Sequence, residues 1–290
     1  MATTRLTTGA GSNVVARQPL PVVVSEPERL FRVEPVCERD TIVSTTMPTG
    51  AWLERAAGRI SLGALGVLAD DVLGYAVLTE RPADHWSVSS EISLDLCHPI
   101  ETGPRLSGRA RPVFADQRAA VTSGEIVDNQ GRLVAVGRQQ GRFVATMPGA
   151  PDEGPPGAST HGPPDPGDVG SVFDLLDVEA KPTSEGALLD VAATPALVNP
   201  LSNLHGGITL CLADLVAITA MEAEARALET TSIHVAYLRP VPLGTTVSFV
   251  AHVIHSGRTF AVARVEARTA EGKRCISGTV TASSIGVGQH

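Results

Sequence analysis

The residues best equipped for chemistry lie in one stretch, Asn199-Pro200-Leu201-Ser202-Asn203-Leu204-His205-Gly206-Gly207, after which an apolar run leads to Asp214. A histidine and two glycines at a break in the chain predict a loop feeding a buried helix. The N-terminus of such a helix offers unpaired backbone N–H groups and the positive end of the helix dipole, so it receives polar or anionic groups. Gly206 and Gly207 carry no Cβ and let a ligand approach that backbone; they equally suit a helix start packed tightly on a neighbour. His205 can act as a base or brace the loop by hydrogen bonds. Asn199 can hydrogen-bond a ligand or water, or open the turn for which Asn-Pro is a common dipeptide. Asp214 is a carboxylate available as nucleophile or general base. No second histidine stands at metal spacing from His205, and Cys37, Cys97, Cys211 and Cys275 are far apart, so no metal site and no cofactor is expected. The cysteines are expected to be reduced and mostly in the core.

A helix this apolar needs cover on several faces. Around residues 206–228, expected as helix, strand patterns occur at 187–194, 230–238, 245–255, 259–269 and 274–283, with Ala270-Glu271-Gly272 as a hairpin turn. The first half of the chain reads the same way. Leu62, Leu65, Leu68, Ala69, Val72, Leu73 and Ala76 predict a buried helix over 58–79. Strands follow at 87–96, 104–114, 119–127 and 133–144, with Asp128-Asn129-Gln130-Gly131 as a turn. Residues 31–48 read as extended. Between the halves, 148–170 is rich in Pro and Gly and predicts a linker in which His161 is solvated and inert.

The two halves superpose in sequence. A shift of 141 carries Pro99, Gly103, Glu125, Gly131 and Gly137 onto Pro240, Gly244, Glu266, Gly272 and Gly278 without a gap. A shift of 144 carries Leu68-Ala69-Asp70 onto Leu212-Ala213-Asp214. The expected division is a disordered segment 1–25, a first unit 26–147, the linker 148–170 and a second unit 171–290, each unit an antiparallel sheet curled around one helix.

Composition narrows the function. The net charge of -8 over 290 residues, with no basic cluster, argues against a nucleic-acid partner. Apolar stretches are broken by charges short of a membrane span, and residues 1–20 lack a secretory pattern, so a cytoplasmic protein is expected.

The pattern Asn-x5-His-Gly-Gly-x5-Ala-Asp, followed by Thr230-Thr231-Ser232-Ile233-His234-Val235-Ala236-Tyr237-Leu238-Arg239-Pro240, resembles the hotdog-fold acyl-CoA thioesterases of the phenylacetate-degradation type. The resemblance covers about a hundred residues of the second half. It implies an α+β hotdog fold, pairing of two hotdog units, and hydrolysis of an acyl-CoA thioester. With the repeat, the chain would be a double hotdog, and chains could still associate through their sheet faces into homo-oligomers. The resemblance further implies that the Gly206 N–H steadies the oxyanion, that His205 supports the loop, and that the carboxylate sits at Asp214. Thr230 and Ser89 fall where a hydroxyl would orient water, and Gly207 would border the substrate.

Helix geometry modifies that picture. Gly206 and Asp214 are separated by ~12 Å of helix rise, too far to act on one carbonyl. The carboxylate facing Gly206 must come from the other unit, which supplies Asp70. That unit has Arg55, Ser61 and Leu62 where the second half has Asn199, His205 and Gly206. One complete site is therefore expected, Asn199, His205 and Gly206 against Asp70, and one degraded site at Asp214. Asp71 reads as a charge that the helix tolerates beside Asp70. Arg239, Arg258, Lys273, Arg105, Arg109 and Arg118 are cations that could meet CoA phosphates. A non-catalytic acyl-thioester binding or regulatory protein is the competing reading; a hydratase or dehydratase fits the His-Gly-Gly spacing poorly.

Overall fold

The computed structural model describes residues 24–145, 169–222 and 227–284. The segment expected to be disordered and the linker lie, but for 24–25 and 169–170, outside the described residues, as does His161.

The first half runs α1 (Glu26–Phe31), β1 (Cys37–Arg39), β2 (Ile42–Pro48), a short ribbon β3 (Glu54–Ala56) and β4 (Arg59–Ile60), a 3-10 turn Leu62–Leu65, α2 (Gly66–Leu78), β5 (His85–Leu96), β6 (Arg105–Ala115), β7 (Ala119–Val127) and β8 (Leu133–Ala145). The second half runs α3 (Val172–Leu176), β9 (Ala180–Thr183), β10 (Gly186–Ala192), α4 (Gly206–Glu222), β11 (Leu228–Tyr237), β12 (Thr246–Ser256), β13 (Phe260–Thr269) and β14 (Arg274–Ser284).

The strands expected after each helix are found within one or two residues of their predicted ends, because alternating burial marks them plainly. Gly131 and Gly272 take the left-handed backbone, with φ of 78° and 77°, in the two equivalent hairpin turns. Three expectations need correction. The helix predicted from 58 begins only at Gly66, since Arg59–Ile60 pairs with Glu54–Ala56 and Leu62–Leu65 forms a tighter turn. Leu228 belongs to β11, not to the helix before it. The extended reading of 31–48 missed that Phe31 closes α1. A local signal was present: Ser25 and Glu28 stand three apart ahead of an apolar pair, the spacing of a helix start. Of the cysteines, Cys211 and Cys275 are buried, but Cys37 and Cys97 are exposed; all four are free thiols.

Among the described residues, twelve strands form one antiparallel sheet in the order β1-β2-β6-β7-β8-β5-β11-β14-β13-β12-β10-β9. Its centre is the β5–β11 pair, where Ser93 lies opposite His234. Ile92 then faces Val235 and Leu94 faces Ile233, so the register reads alike in both directions from that pair. Ser93 Oγ and His234 Nδ1 are 2.8 Å apart, bridging residues 141 positions apart in sequence. The sheet curls so that α2 packs on β2, β6, β7 and β8, and α4 on β10, β11, β12 and β13. The helices touch each other at their starts. A Cβ on Gly207 would fall 2.5 Å from Gly66 O and from Val67 Cα, so glycine is required for the two backbones to meet there. That crossing brings the first turn of α4 against the first two turns of α2.

Candidate active site

Asp70 lies in the second turn of α2, and at this crossing its carboxylate reaches the start of α4. Gly207 N–H donates to Asp70 Oδ2 at 3.0 Å. A Cβ on Gly206 would lie 2.5 Å from the same oxygen, so the bare Cα of Gly206 is what gives the carboxylate its place. Ser89, on β5, donates to Asp70 Oδ1 at 3.4 Å, and Gln139 Nε2, on β8, donates to Ser89 Oγ at 2.9 Å. Tyr237 Oη, on β11, donates to Gly206 O at 2.8 Å and thereby holds the loop-to-helix joint.

Asp70, Ser89, Asn199, Gly206, Tyr237 and Arg239 line one cavity of about 360 Å³. Trp86, Val88, Leu201, Leu204, Leu238 and Ile276 give it an apolar wall. Asn199 Oδ1 accepts from the backbone N–H of Leu201 at 3.0 Å and of Asn203 at 3.2 Å, so its oxygen shapes the loop and Nδ2 is the group it can offer to the cavity. Gly207 is not on that wall; its N–H serves Asp70 and its missing side chain serves the helix crossing.

His205 is buried behind the cavity. Its Nδ1 is 3.4 Å from Asp70 Oδ2, while Nε2 is 3.6 Å from Glu28 Oε1 and 3.9 Å from Asp71 Oδ1. Burial alone would lower the ring's pKa, but the close approach of Glu28 and the charges of Asp70, Glu28 and Asp71 outweigh it and lift the pKa to about 9. Gly207 N also lies 3.0 Å from Nδ1, a bond that only a neutral ring could accept. With both nitrogens protonated, Nδ1–H is instead a donor toward Asp70, and the Gly207 N–H belongs to Asp70 alone. Three carboxylates around one imidazole favour this second state. Burial raises the Asp70 pKa from its ordinary value, opposed by His205 and the Gly207 N–H.

Glu28, Asp71 and His205 also present ligand atoms within 4.8 Å of one another. One imidazole and two carboxylates form a set that could take a divalent cation. Counting along the sequence could not reveal it, because the three residues come from separate segments. Asp71, read from sequence as a tolerated charge, is in fact buried and pushed well above the ordinary carboxylate value by burial and then by Glu28.

The matching place in the other half is closed. Asp214 is wholly buried; it accepts from Ser61 Oγ, from Gly63 N–H at 2.7 Å and from Thr230 Oγ1 at 2.6 Å. Leu62, where α4 has Gly206, is fully buried. Arg55, where α4's loop has Asn199, is tied to Glu222 at 2.7 Å and to Leu228 O at 2.6 Å. Only about 70 Å³ of space adjoins Ser61 and Thr230. Of the other basic residues considered, Arg105 pairs with Glu34, Arg109 with Glu125 and Arg118 with Asp116, all away from the larger cavity.

Comparison with known proteins follows the same division. Residues 201–276 match the family described as the thioesterase superfamily, and residues 21–143 match the acyl-CoA thioesterase C-terminal domain. A thioesterase family model thus matches in each half of the chain. Its fold is the α+β hotdog fold shared with solved thioesterases. The tesB protein of Mycobacterium avium subs. paratuberculosis superposes with a TM-score of 0.64 at 10% identity, over 90% of this chain and 100% of that one. The acyl-CoA thioesterase II of Mycobacterium marinum superposes with a TM-score of 0.57 at 9% identity, over 91% and 98%. In sequence, acyl-coenzyme A thioesterase 13 of Mus musculus is 31% identical over 70 residues, 23% of this chain and 50% of that protein. The Homo sapiens protein of the same name is 31% identical over 86 residues, 29% and 61%. The chain thus spans about half to three-fifths of the length of the curated relatives it matches.

Sequence reasoning missed Gln139, Glu28 and Tyr237. For Gln139 a signal existed: the shift of 141 sets it against Val280, so a polar residue replaces an apolar one on an inward-facing strand position. Tyr237 was quoted only as part of the motif strand.

Proposed function

We propose that the protein hydrolyses acyl-CoA thioesters to the free acid and CoA, at a single composite site between its two halves. The halves, 26–147 and 171–290, would act as two units joined by 148–170. The observation that carries this reading is the placement of Asp70, from α2, against Gly206 at the start of α4, inside a cavity that also holds Ser89 and Asn199.

The chemistry would run as follows. The acyl chain lies along the apolar wall, with the thioester oxygen at the Gly206 N–H. Ionised Asp70 takes a proton from a water held beside Ser89, the hydroxide oxygen bonds to the carbonyl carbon, and the resulting oxyanion is steadied by the helix N-terminus. Collapse breaks the C–S bond, and the departing thiolate takes the proton back from Asp70. The alternative, attack by Asp70 itself, gives an anhydride; a single turnover in ¹⁸O-water leaves label in Asp70 only on that route. Asn199 Nδ2 would bind the thioester region or the water, and Arg239 would meet the CoA phosphates. Asp214 and Thr230 serve structure in this reading.

A cytoplasmic location fits a CoA-thioester substrate. Among the described residues, no helix is long and apolar enough to cross a membrane. The function is tested by incubation with a panel of acyl-CoAs and a thiol reagent. Thiol release that Asp70→Asn abolishes supports the reading. Tight acyl-CoA binding with no release would make the protein a binder, and sedimentation of the same sample would report whether chains associate.

A further inference from the structure

The loop before α4 has an equivalent before α2, and the two are built alike. Val198 bridges Leu204 across one, and Glu54 pairs with Ile60, each 144 positions earlier, across the other. Just inside these bridges stand Asn199 and Asn203 in the second half and Arg55 and Arg59 in the first. The arginines converge on one planar group, the Glu222 carboxylate at the end of α4. Arg55 Nη1 and Nη2 donate to it at 2.7 and 3.1 Å, and Arg59 Nη1 donates at 3.1 Å. The position matching Glu222 at the end of α2 is Leu78, which has no polar side-chain atom. The asparagine pair therefore lacks the partner that the arginine pair has, and both asparagines line the cavity instead.

Bonds to the backbone fix which way both amides point. Asn199 Oδ1 accepts from the N–H groups of Leu201 and Asn203, which leaves Nδ2 as its free end. Asn203 Nδ2 donates to Leu201 O at 3.0 Å, which leaves Oδ1 as an acceptor with no donor among the described residues. Turning either amide over would set donor against donor or acceptor against acceptor.

We infer that Asn203 is a specificity-determining residue: its Oδ1 accepts the amide N–H of the pantetheine arm that carries the thioester, the amide two methylenes from the sulfur. The inference rests on the thioesterase reading above. Beyond the sulfur of such a substrate come two methylenes and then this N–H, the hydrogen-bond donor nearest the reacting carbon on that side. Asn203 stands three residues before Gly206 and lines the same cavity, so its unspent acceptor lies where that donor passes. Asn199 Nδ2, beside it, is left for the thioester end. A half-buried acceptor facing a ligand that brings no donor costs binding, so the site discriminates against a thioester whose arm lacks the N–H. CoA and acyl carrier proteins hold the same arm; the contact reads the arm and not its bearer.

The test needs no turnover. S-hexylpantetheine, a thioether that cannot be hydrolysed, is compared by calorimetry with its depsi analogue, in which an ester oxygen replaces that N–H. The full wild-type chain should bind the amide about 10-fold more tightly than the ester. Asn203→Ala should lose about that factor for the amide, leave the ester unchanged and so erase the preference. If Asn203 only shaped the loop, the variant would weaken both ligands equally and keep the preference. That result, or equal binding of the two ligands by the wild type, would overturn the inference alone. Binding of neither thioether would overturn it together with the thioesterase reading. S-hexyl-CoA and a carrier protein bearing the same S-hexyl arm, run side by side, tell which bearer the cavity takes, and Asn203→Ala should weaken the one that binds by the same factor.

Discussion

Gly207 N–H donates to Asp70 Oδ2 at 3.0 Å, joining residues 137 positions apart, and the same bond recurs in the other half as Gly63 N–H to Asp214 Oδ2 at 2.7 Å. Each helix start thus binds the carboxylate of the opposite helix. The hydroxyl partners repeat as well, Ser89 on Asp70 and Thr230 on Asp214. The two sites part at three positions: His205 against Ser61, Gly206 against Leu62, and Asn199 against Arg55. Leucine and a salt-bridged arginine fill one site, and glycine and asparagine leave the other open.

The two glycines should fail in different ways. Gly206→Ala sets a methyl group against Asp70 Oδ2 and displaces the carboxylate; a shift of that kind costs about 100-fold in kcat, with the fold retained. Gly207→Ala sets its methyl group against the backbone of α2 and should cost about 1–3 kcal/mol of stability. Steady-state kinetics and denaturant unfolding of both variants check this. Loss of stability in Gly206→Ala without loss of rate would count against the placement of Asp70.

Ser89→Ala removes a hydroxyl bonded to an ionised group, worth roughly 10- to 100-fold in kcat. KM should change little, because the hydroxyl faces the water and not the acyl chain. Gln139→Leu, which frees Ser89 to rotate, should lower kcat less than Ser89→Ala and should not add to it in the double variant. Full additivity of the two would show that Gln139 does not act through Ser89.

How much of this was legible beforehand depends on the kind of signal. The strands and the paired helices were readable because burial alternates along them and because the halves repeat. The crossed arrangement of Asp70 and Gly206 followed from helix rise together with that repeat. Glu28 was hidden: α1 is one and a half turns long and carries no periodic pattern, and only the fold brings it to His205. Asp71 was misread for a related reason, since a charge next to a candidate residue looks solvated until the neighbouring helix is placed over it. The metal-capable trio escaped the same way, being assembled from three distant segments.

Asp71 should leave a mark on stability. Its ordinary pKa is 3.8, and in the folded protein it lies well above that. The folded state therefore favours the protonated form; this contribution is full below 3.8 and is lost as pH rises through the raised value. Each unit of upward shift corresponds to about 1.4 kcal/mol. Asn cannot ionise, so Asp71→Asn should gain on the wild type in denaturant unfolding as pH climbs through this window. A constant difference between pH 5 and pH 9, as reference points taken at about those values, would mean that Asp71 is not held protonated by the fold.

The central claim is that the working carboxylate comes from the half without the His-Gly-Gly loop. The most direct measurement is thiol release by Asp70→Asn and by Asp214→Asn, on an acyl-CoA that the wild type hydrolyses, with folding checked by thermal unfolding. Asp70→Asn should lose about 10³-fold or more in kcat with its fold intact. Asp214→Asn should lower the unfolding temperature and keep most of the activity. Loss of turnover in Asp214→Asn alone, with Asp70→Asn still active, would contradict the crossed site.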